Sequence, residues 1–241
     1  MRYGIFADVH SNLEALDAVI KAYKDEKIDQ YFCLGDVVGY GVNPCECIEN
    51  VKSLSAVTVA GNHDWATVNL LSLANFRFEA AEAIHWTRRQ IKAGEKDFLE
   101  SLKLTYKNAD FSLAHGTLDN PKDFNYMNNG YTAWESLRLL ETKVGFVGHS
   151  HVAGIFSKIS DDVVYRQDDL LELAENGKYI VNVGSVGQPR DGNPQAAFCI
   201  YDTEQKKVFI KRVKYDVDKT RQKIIDSGLP RSLGDRLMLG M

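Results

Sequence analysis

The chain has 241 residues, 44% of them hydrophobic, with a net charge of −4. That length suits one large domain with a sizeable core, and the mildly acidic balance argues against a nucleic-acid or anionic-membrane surface. No apolar run approaches the roughly 20 residues that span a bilayer, and no signal-peptide pattern opens the chain, so a cytoplasmic location and no membrane partner are expected.

Tyr3–Ala7 reads as a strand. Ser11 and Glu14 then form a capping-box pair. Leu13, Leu16, Val19, Ile20 and Tyr23 follow at helical spacing and predict an amphipathic helix over Asn12–Lys24. Tyr31–Leu34 is the second strand. Asn43-Pro44, with Glu46 three residues after Asn43, starts a second helix. Ser55–Ala60 is the third strand. This alternation predicts parallel strands with right-handed crossovers. Trp65–Leu102 reads as helices with a break at Gly94, and Phe111–Ala114 and Val144–Val147 are strands separated by a helix around Thr132–Leu140.

From Val152 onward the pattern changes. Val152–Ile159, Val163–Arg166, Lys178–Val183, Ala196–Tyr201 and Val208–Lys214 are β-rich. Turns fall at Asp161-Asp162, Glu175–Gly177, Asp191–Pro194 and Thr203–Lys206. Antiparallel hairpins making a second sheet are expected. The tail, Val217–Leu239, is helical with a break at Gly228–Pro230. Residues 1–241 therefore read as a single mixed α/β domain: two packed sheets with helices outside. Cys33 and Cys199 lie in apolar runs and read as buried free thiols. Cys45-Glu46-Cys47 has no second pair and makes a poor zinc signature.

Five of the six histidines stand in short polar clusters after strand-like runs. The clusters are Asp8-Val9-His10, Gly35-Asp36, Gly61-Asn62-His63-Asp64, His115-Gly116 and Gly148-His149-Ser150-His151. Loops at the carboxyl ends of strands in an open α/β sheet converge on one crevice, so the clusters predict one multi-ligand site. Oxygen and imidazole donors without thiolates suit a transition metal such as Mn, Fe, Zn, Ni or Co, with Mn favoured, rather than Ca²⁺. Asp8, His10, Asp36, Asn62, His115, His149 and His151 are too many ligands for one ion. They divide into two sites about 3.5–4 Å apart, with Asp36 as the natural bridge.

Two divalent cations against two carboxylates leave a surplus of about two positive charges, which favours a phosphate ester. A bridging water would have its pKa lowered toward neutrality and act as a hydroxide nucleophile. His63 is then placed to protonate the leaving oxygen.

These residues resemble the calcineurin-like metallophosphoesterase superfamily, whose ordered pattern is Asp-x-His, Gly-Asp, Gly-Asn-His-Asp/Glu, His and Gly-His-x-His. Every element is present between Asp8 and His151. The resemblance implies a four-layer αββα sandwich of two mixed sheets. It implies one metal on Asp8, His10, Asp36 and His151, a second on Asp36, Asn62, His115 and His149, and His63 as the catalytic histidine. Gly35–Gly41 and Asn182–Arg190 look like the small bacterial and archaeal phosphodiesterase-like branch. Gly39-Tyr40-Gly41 stands where protein Ser/Thr phosphatases carry Asp-Arg-Gly. That departure argues against protein-phosphatase activity and diadenosine tetraphosphate hydrolysis. It also removes the usual partner of the catalytic histidine, for which Asp64 is the alternative that the sequence offers.

Arg190, Tyr40 and Asn12 are expected near a substrate. His85 reads as structural, and Phe124, Tyr126 and Tyr131 as packing rather than a base-stacking wall. The expected activity is hydrolysis of a small soluble phosphodiester or phosphomonoester. A non-catalytic interaction scaffold, which would lack one or more of these ligands, and a nuclease, which would need a basic surface, are the alternatives. The sequence does not decide the oligomeric state.

Overall fold

A computed structural model describes residues 1–159 and 162–241. The elements run β1 (Arg2–Phe6), α1 (Leu13–Lys24), β2 (Gln30–Cys33), α2 (Pro44–Ser53), β3 (Val57–Thr58), α3 (Asn62–Thr67), α4 (Phe78–Gln90), α5 (Ala93–Ser101), β4 (Thr105–Lys107) and β5 (Phe111–Ala114). They continue with α6 (Gly130–Leu139), β6 (Val144–Val147), β7 (Gly154–Ile159), β8 (Asp162–Arg166), β9 (Leu170–Glu172), β10 (Lys178–Asn182), β11 (Ala196–Asp202), β12 (Lys207–Val213), α7 (Val217–Asp226) and α8 (Arg231–Asp235). The expected Asp161-Asp162 turn lies partly outside the described residues.

Two six-stranded mixed sheets result, in the orders β3-β2-β1-β11-β12-β9 and β4-β5-β6-β10-β7-β8. The parallel pairing of β1 with β2 and of β2 with β3 agrees with the crossover reading. The later strands depart from expectation. They do not form a sheet of their own: β11, β12 and β9 extend the first sheet from β1, while β10, β7 and β8 extend the second from β6. The physical reason is that β1 and β6 would otherwise be exposed apolar edges. Antiparallel β11 covers one and parallel β10 covers the other. β4 and β9, three residues each, are too short to show a period in the sequence.

Side-chain alternation builds the four layers. Tyr3 and Ile5 of β1 point into an inter-sheet core with Phe32, Phe111, Phe146, Val181 and Tyr201. Phe6 points to the opposite face, where it joins Leu16, Val19 and Tyr23 of α1. On the far side, Ile180 packs with Leu137 of α6. Phe32 and Phe111 meet edge to face at 4.9 Å across the two sheets. Each such fully buried side chain contributes roughly 1.5–3 kcal/mol. The result is the expected αββα arrangement.

Two local expectations are corrected. Asn12, not Ser11, caps α1: its Oδ1 accepts the Ala15 N–H at 3.2 Å, and no capping bond from Ser11 is made. Glu14 is drawn instead to Lys223 and Lys219 of α7. Gly94 lies inside α5, and the break precedes it at Ile91-Lys92. No helix among the described residues is long and apolar enough to cross a membrane.

Candidate metal centre

The five polar clusters meet where the carboxyl ends of β1, β2 and β3 in one sheet face those of β5 and β6 in the other. Backbone hydrogen bonds lace the loops together. Asp8 N–H donates to the Gly35 carbonyl and His10 N–H to that of Asp36, while Gly148 N–H donates to His115. The loop after β10 braces both halves. Gly187 N–H and Ser185 Oγ both donate to the Asp8 carbonyl, and Arg190 N–H donates to His151.

Within this frame the side chains converge. Asp8, His10 and His151 form one group of donors, and Asp36, His115 and His149 another. A third joins His10, Asp36 and His63. In each, the ligand atoms lie within 4.8 Å of one another. His151 Nε2 is 3.3 Å from Asp8 Oδ1, and Asp36 Oδ2 is 3.3 Å from His115 Nε2 and 3.6 Å from His10 Nε2. Asp36 thus faces both halves of the cluster.

The tautomers are set by the backbone. His10 Nδ1 donates to the Val38 carbonyl, His115 Nδ1 to Leu34 and His151 Nδ1 to Gln188, at 3.1, 2.7 and 2.6 Å. A carbonyl can only accept, so a proton sits on each Nδ1, and the neutral rings of His10 and His151 present an Nε2 lone pair inward. His10 Nε2 and His151 Nε2 consequently face each other at 3.0 Å. Two lone pairs at that distance repel unless a cation lies between them. The buried Asp8 Oδ1 and Asn62 Oδ1 have no hydrogen-bond partner. Orphaned oxygens and inward imidazoles together are the donor chemistry of a divalent transition metal. The residues present fit such a group.

The backbone is strained at the same place. Asp8, His10, Asp36, His149 and His151 all adopt left-handed φ values between 49° and 66°. Non-glycine residues accept that conformation at a cost of order 1–3 kcal/mol each, and it concentrates at functional sites. A single sequence without this geometry does not reveal it.

Electrostatics follow from burial and crowding. Burial pulls His115 down, but the Asp36 carboxylate outweighs it and lifts the ring to about 9. Burial pushes Asp36 up, and the charges of His115 and His63 overcome it and hold it well below the ordinary range. His63 is pushed down to about 4, by burial first and also by Arg190 and His151.

His63 is 4% exposed, its ring meets His10 edge-on and lies tilted against Tyr40, and its Nδ1 has no partner among the described residues. Gly39 makes room for it: at φ +93°, a Cβ there would lie 2.4 Å from His63 Nδ1. Asp64 does not serve as its orienter. Both Asp64 oxygens are spent on the N–H groups of Asp36, Val37, Val38 and Gly61. Asp64 therefore positions the Asp36 loop, a role adjacency to His63 concealed.

The centre opens on a cavity of about 1020 Å³ whose wall includes Asn62, His63, His149, Tyr40 and Arg190. Arg190 reaches Gln188 Oε1 at 2.7 Å and the Tyr40 hydroxyl at 3.3 Å. Asn12 is absent from that wall, because its side chain is consumed by the α1 cap, the Gly187 carbonyl and Thr220. Tyr126, expected as packing, is half exposed and stacks on His149 at 4.0 Å and 17°. Phe124 is buried against Trp65 and His115, whereas Tyr131 is exposed and His85 lies on the open face of α4. The four cysteines are free.

Comparison with known proteins agrees with this geometry. Residues 1–206 match the calcineurin-like phosphoesterase superfamily domain. An uncharacterized protein of Methanocaldococcus jannaschii, MJ0912, is 39% identical over 242 residues, covering 98% of this chain and 97% of that protein. A metallophosphoesterase structure from Sphaerobacter thermophilus covers both chains fully, at 36% identity and a TM-score of 0.89. The hypothetical protein PH1004 of Pyrococcus horikoshii OT3 shares the fold, at 19% identity, a TM-score of 0.81 and coverage of 100% and 98%. The chain belongs to the calcineurin-like phosphoesterase superfamily.

Proposed function

We propose that this protein hydrolyses a phosphodiester or phosphomonoester at a centre of two divalent transition-metal ions, Mn²⁺ favoured. The observation that carries the reading is the convergence of Asp8, His10, Asp36, His115, His149 and His151, with the His10 and His151 Nε2 atoms 3.0 Å apart, the Asp8 oxygen unpartnered, and Asn62 on the adjoining cavity wall with its own oxygen unpartnered. Asp8, His10 and His151 would hold one ion, Asn62, His115 and His149 the other, and Asp36 would share its carboxylate between them. Bound there, the ions would acidify water and neutralise charge on a phosphoryl group.

The chain's own residues supply the rest. Tyr40 and Arg190 stand on the cavity wall beside the histidines, and the guanidinium suits a non-bridging phosphate oxygen. His63 is the candidate donor of a proton to the leaving oxygen. That the chain lacks none of the candidate ligands supports an enzyme over an interaction scaffold.

The test is hydrolysis of bis-p-nitrophenyl phosphate and p-nitrophenyl phosphate by Mn²⁺-loaded protein. Turnover of either is expected, and failure on both would overturn the reading.

A further inference from the structure

The cavity wall carries more positive charge than a single phosphate ester needs. Arg77, Arg190 and Arg236 all line it. Arg190 stands beside the centre, with its backbone N–H on the His151 carbonyl and its guanidinium on Tyr40. Arg77 and Arg236 arrive from elsewhere: Arg77 at the residue preceding α4, Arg236 on the single turn that follows α8. Among the described residues, neither forms an ion pair. Arg236 has only the Ser232 carbonyl, at 3.3 Å.

The acidic residues on the same wall do not balance them. Asp235 is already held by Arg221 at 2.7 Å and by Arg231 at 3.3 Å, which leaves Asp123. The tail that delivers Arg236, Leu239 and Met241 to the wall lies beyond the residues matched by the family domain, 1–206. Unpaired guanidinium groups gathered in a concave wall focus positive potential and favour an anion there.

We propose that Arg77 and Arg236 form a second anion subsite, and that the substrate carries a second phosphate group besides the ester that is cleaved. The inference rests on the phosphoesterase reading for the identity of the first group, and on the cavity alone for the second. The apolar part of the same wall, with Phe76, Leu71 and Leu239, suits the body of a small organic bisphosphate.

The experiment is calorimetric titration of the Mn²⁺-loaded full chain with fructose bisphosphate and fructose monophosphate. The bisphosphate is expected to bind about tenfold more tightly or better, as one charge-assisted contact allows. In the Arg77→Gln, Arg236→Gln double variant the ratio falls below about threefold, and the single Arg236→Glu variant lowers it as well. Melting curves matching the parent establish that both variants fold. Equal binding of the two ligands by the parent, or a ratio that survives the double variant, overturns the subsite. Turnover of bis-p-nitrophenyl phosphate and of p-nitrophenyl phosphate is followed on the same preparations. An arginine-dependent preference without any turnover sinks the phosphoesterase reading and leaves the subsite standing; turnover without the preference does the reverse.

Discussion

The carboxylate of Asp64 accepts the backbone N–H of Asp36 at 2.8 Å, and with its remaining lone pairs it holds Val37, Val38 and Gly61. One buried side chain thus fixes the loop that carries the residue facing both halves of the cluster. Burial and the Asp36 charge raise Asp64 to about 7, so the four N–H groups are what keep a carboxylate tolerable there.

Asp64→Ala would leave those four donors buried without an acceptor. Each costs about 1–3 kcal/mol, so a loss of roughly 4 kcal/mol or more is expected, with a fall in Tm of roughly 8–16 °C. Bound metal should fall about 10–100-fold in affinity. Thermal melting and metal analysis of the purified variant check both. Unchanged melting with activity alone lost would mean that Asp64 acts on His63 after all.

Metal binding should relieve the facing lone pairs of His10 and His151. Ion at 100 times its Kd adds about 2.7 kcal/mol, so Mn²⁺ should raise Tm by roughly 5–10 °C and a chelator reverse it. Asp36→Ala should lose more metal than His151→Ala, since Asp36 lies near both His115 and His10. Equal metal content in parent and both variants would show that the cluster does not hold the ion.

His63→Ala should lower kcat about 10²–10⁴-fold, the range of general acid–base catalysis. Its Nδ1 makes no hydrogen bond and its backbone N–H, bonded to Asp36 Oδ1 at 2.8 Å, survives the substitution. Metal content should therefore match the parent. A comparable loss of metal and activity would reassign His63 to ion binding.

Glu14 links α1 to α7, at 2.6 Å from Lys223 and 3.1 Å from Lys219. Burial pushes its carboxyl up, but the two ammonium groups outweigh it and hold it below its ordinary value. A depressed carboxyl stabilises the fold above its unfolded pKa, and that stabilisation is lost as pH falls through the folded value. Lys223→Met should cost about 1 kcal/mol near neutrality. The gap to the parent should close as pH drops through and below the ordinary glutamate range. Melting curves across that range would refute the assignment if the gap stayed constant.

Much of the candidate centre was legible because side chains with metal-type donor atoms stand out by residue type and by position after apolar runs. His10, Asp36 and His149 each end such a run, and loops at strand ends converge. Tyr126 was not legible in this way. Its stacking on His149 depends on how the loop after β5 returns over the site, and no local pattern encodes that return. Asn12 misled for the opposite reason: it follows the ligand pair directly, yet helix capping claimed its side chain.

The candidate ligand set, the alternation of strands and helices up to β3 and the family pattern were readable in the sequence alone, since residue chemistry and short-range periodicity are local properties. Long-range packing decided that the late hairpins divide between the two sheets, that Asp8, His10, Asp36, His149 and His151 sit in left-handed backbone, and that Arg236 of the tail shares a cavity with His63. Those outcomes depend on which apolar edge covers which, and on backbone carbonyls far away in sequence choosing each histidine tautomer.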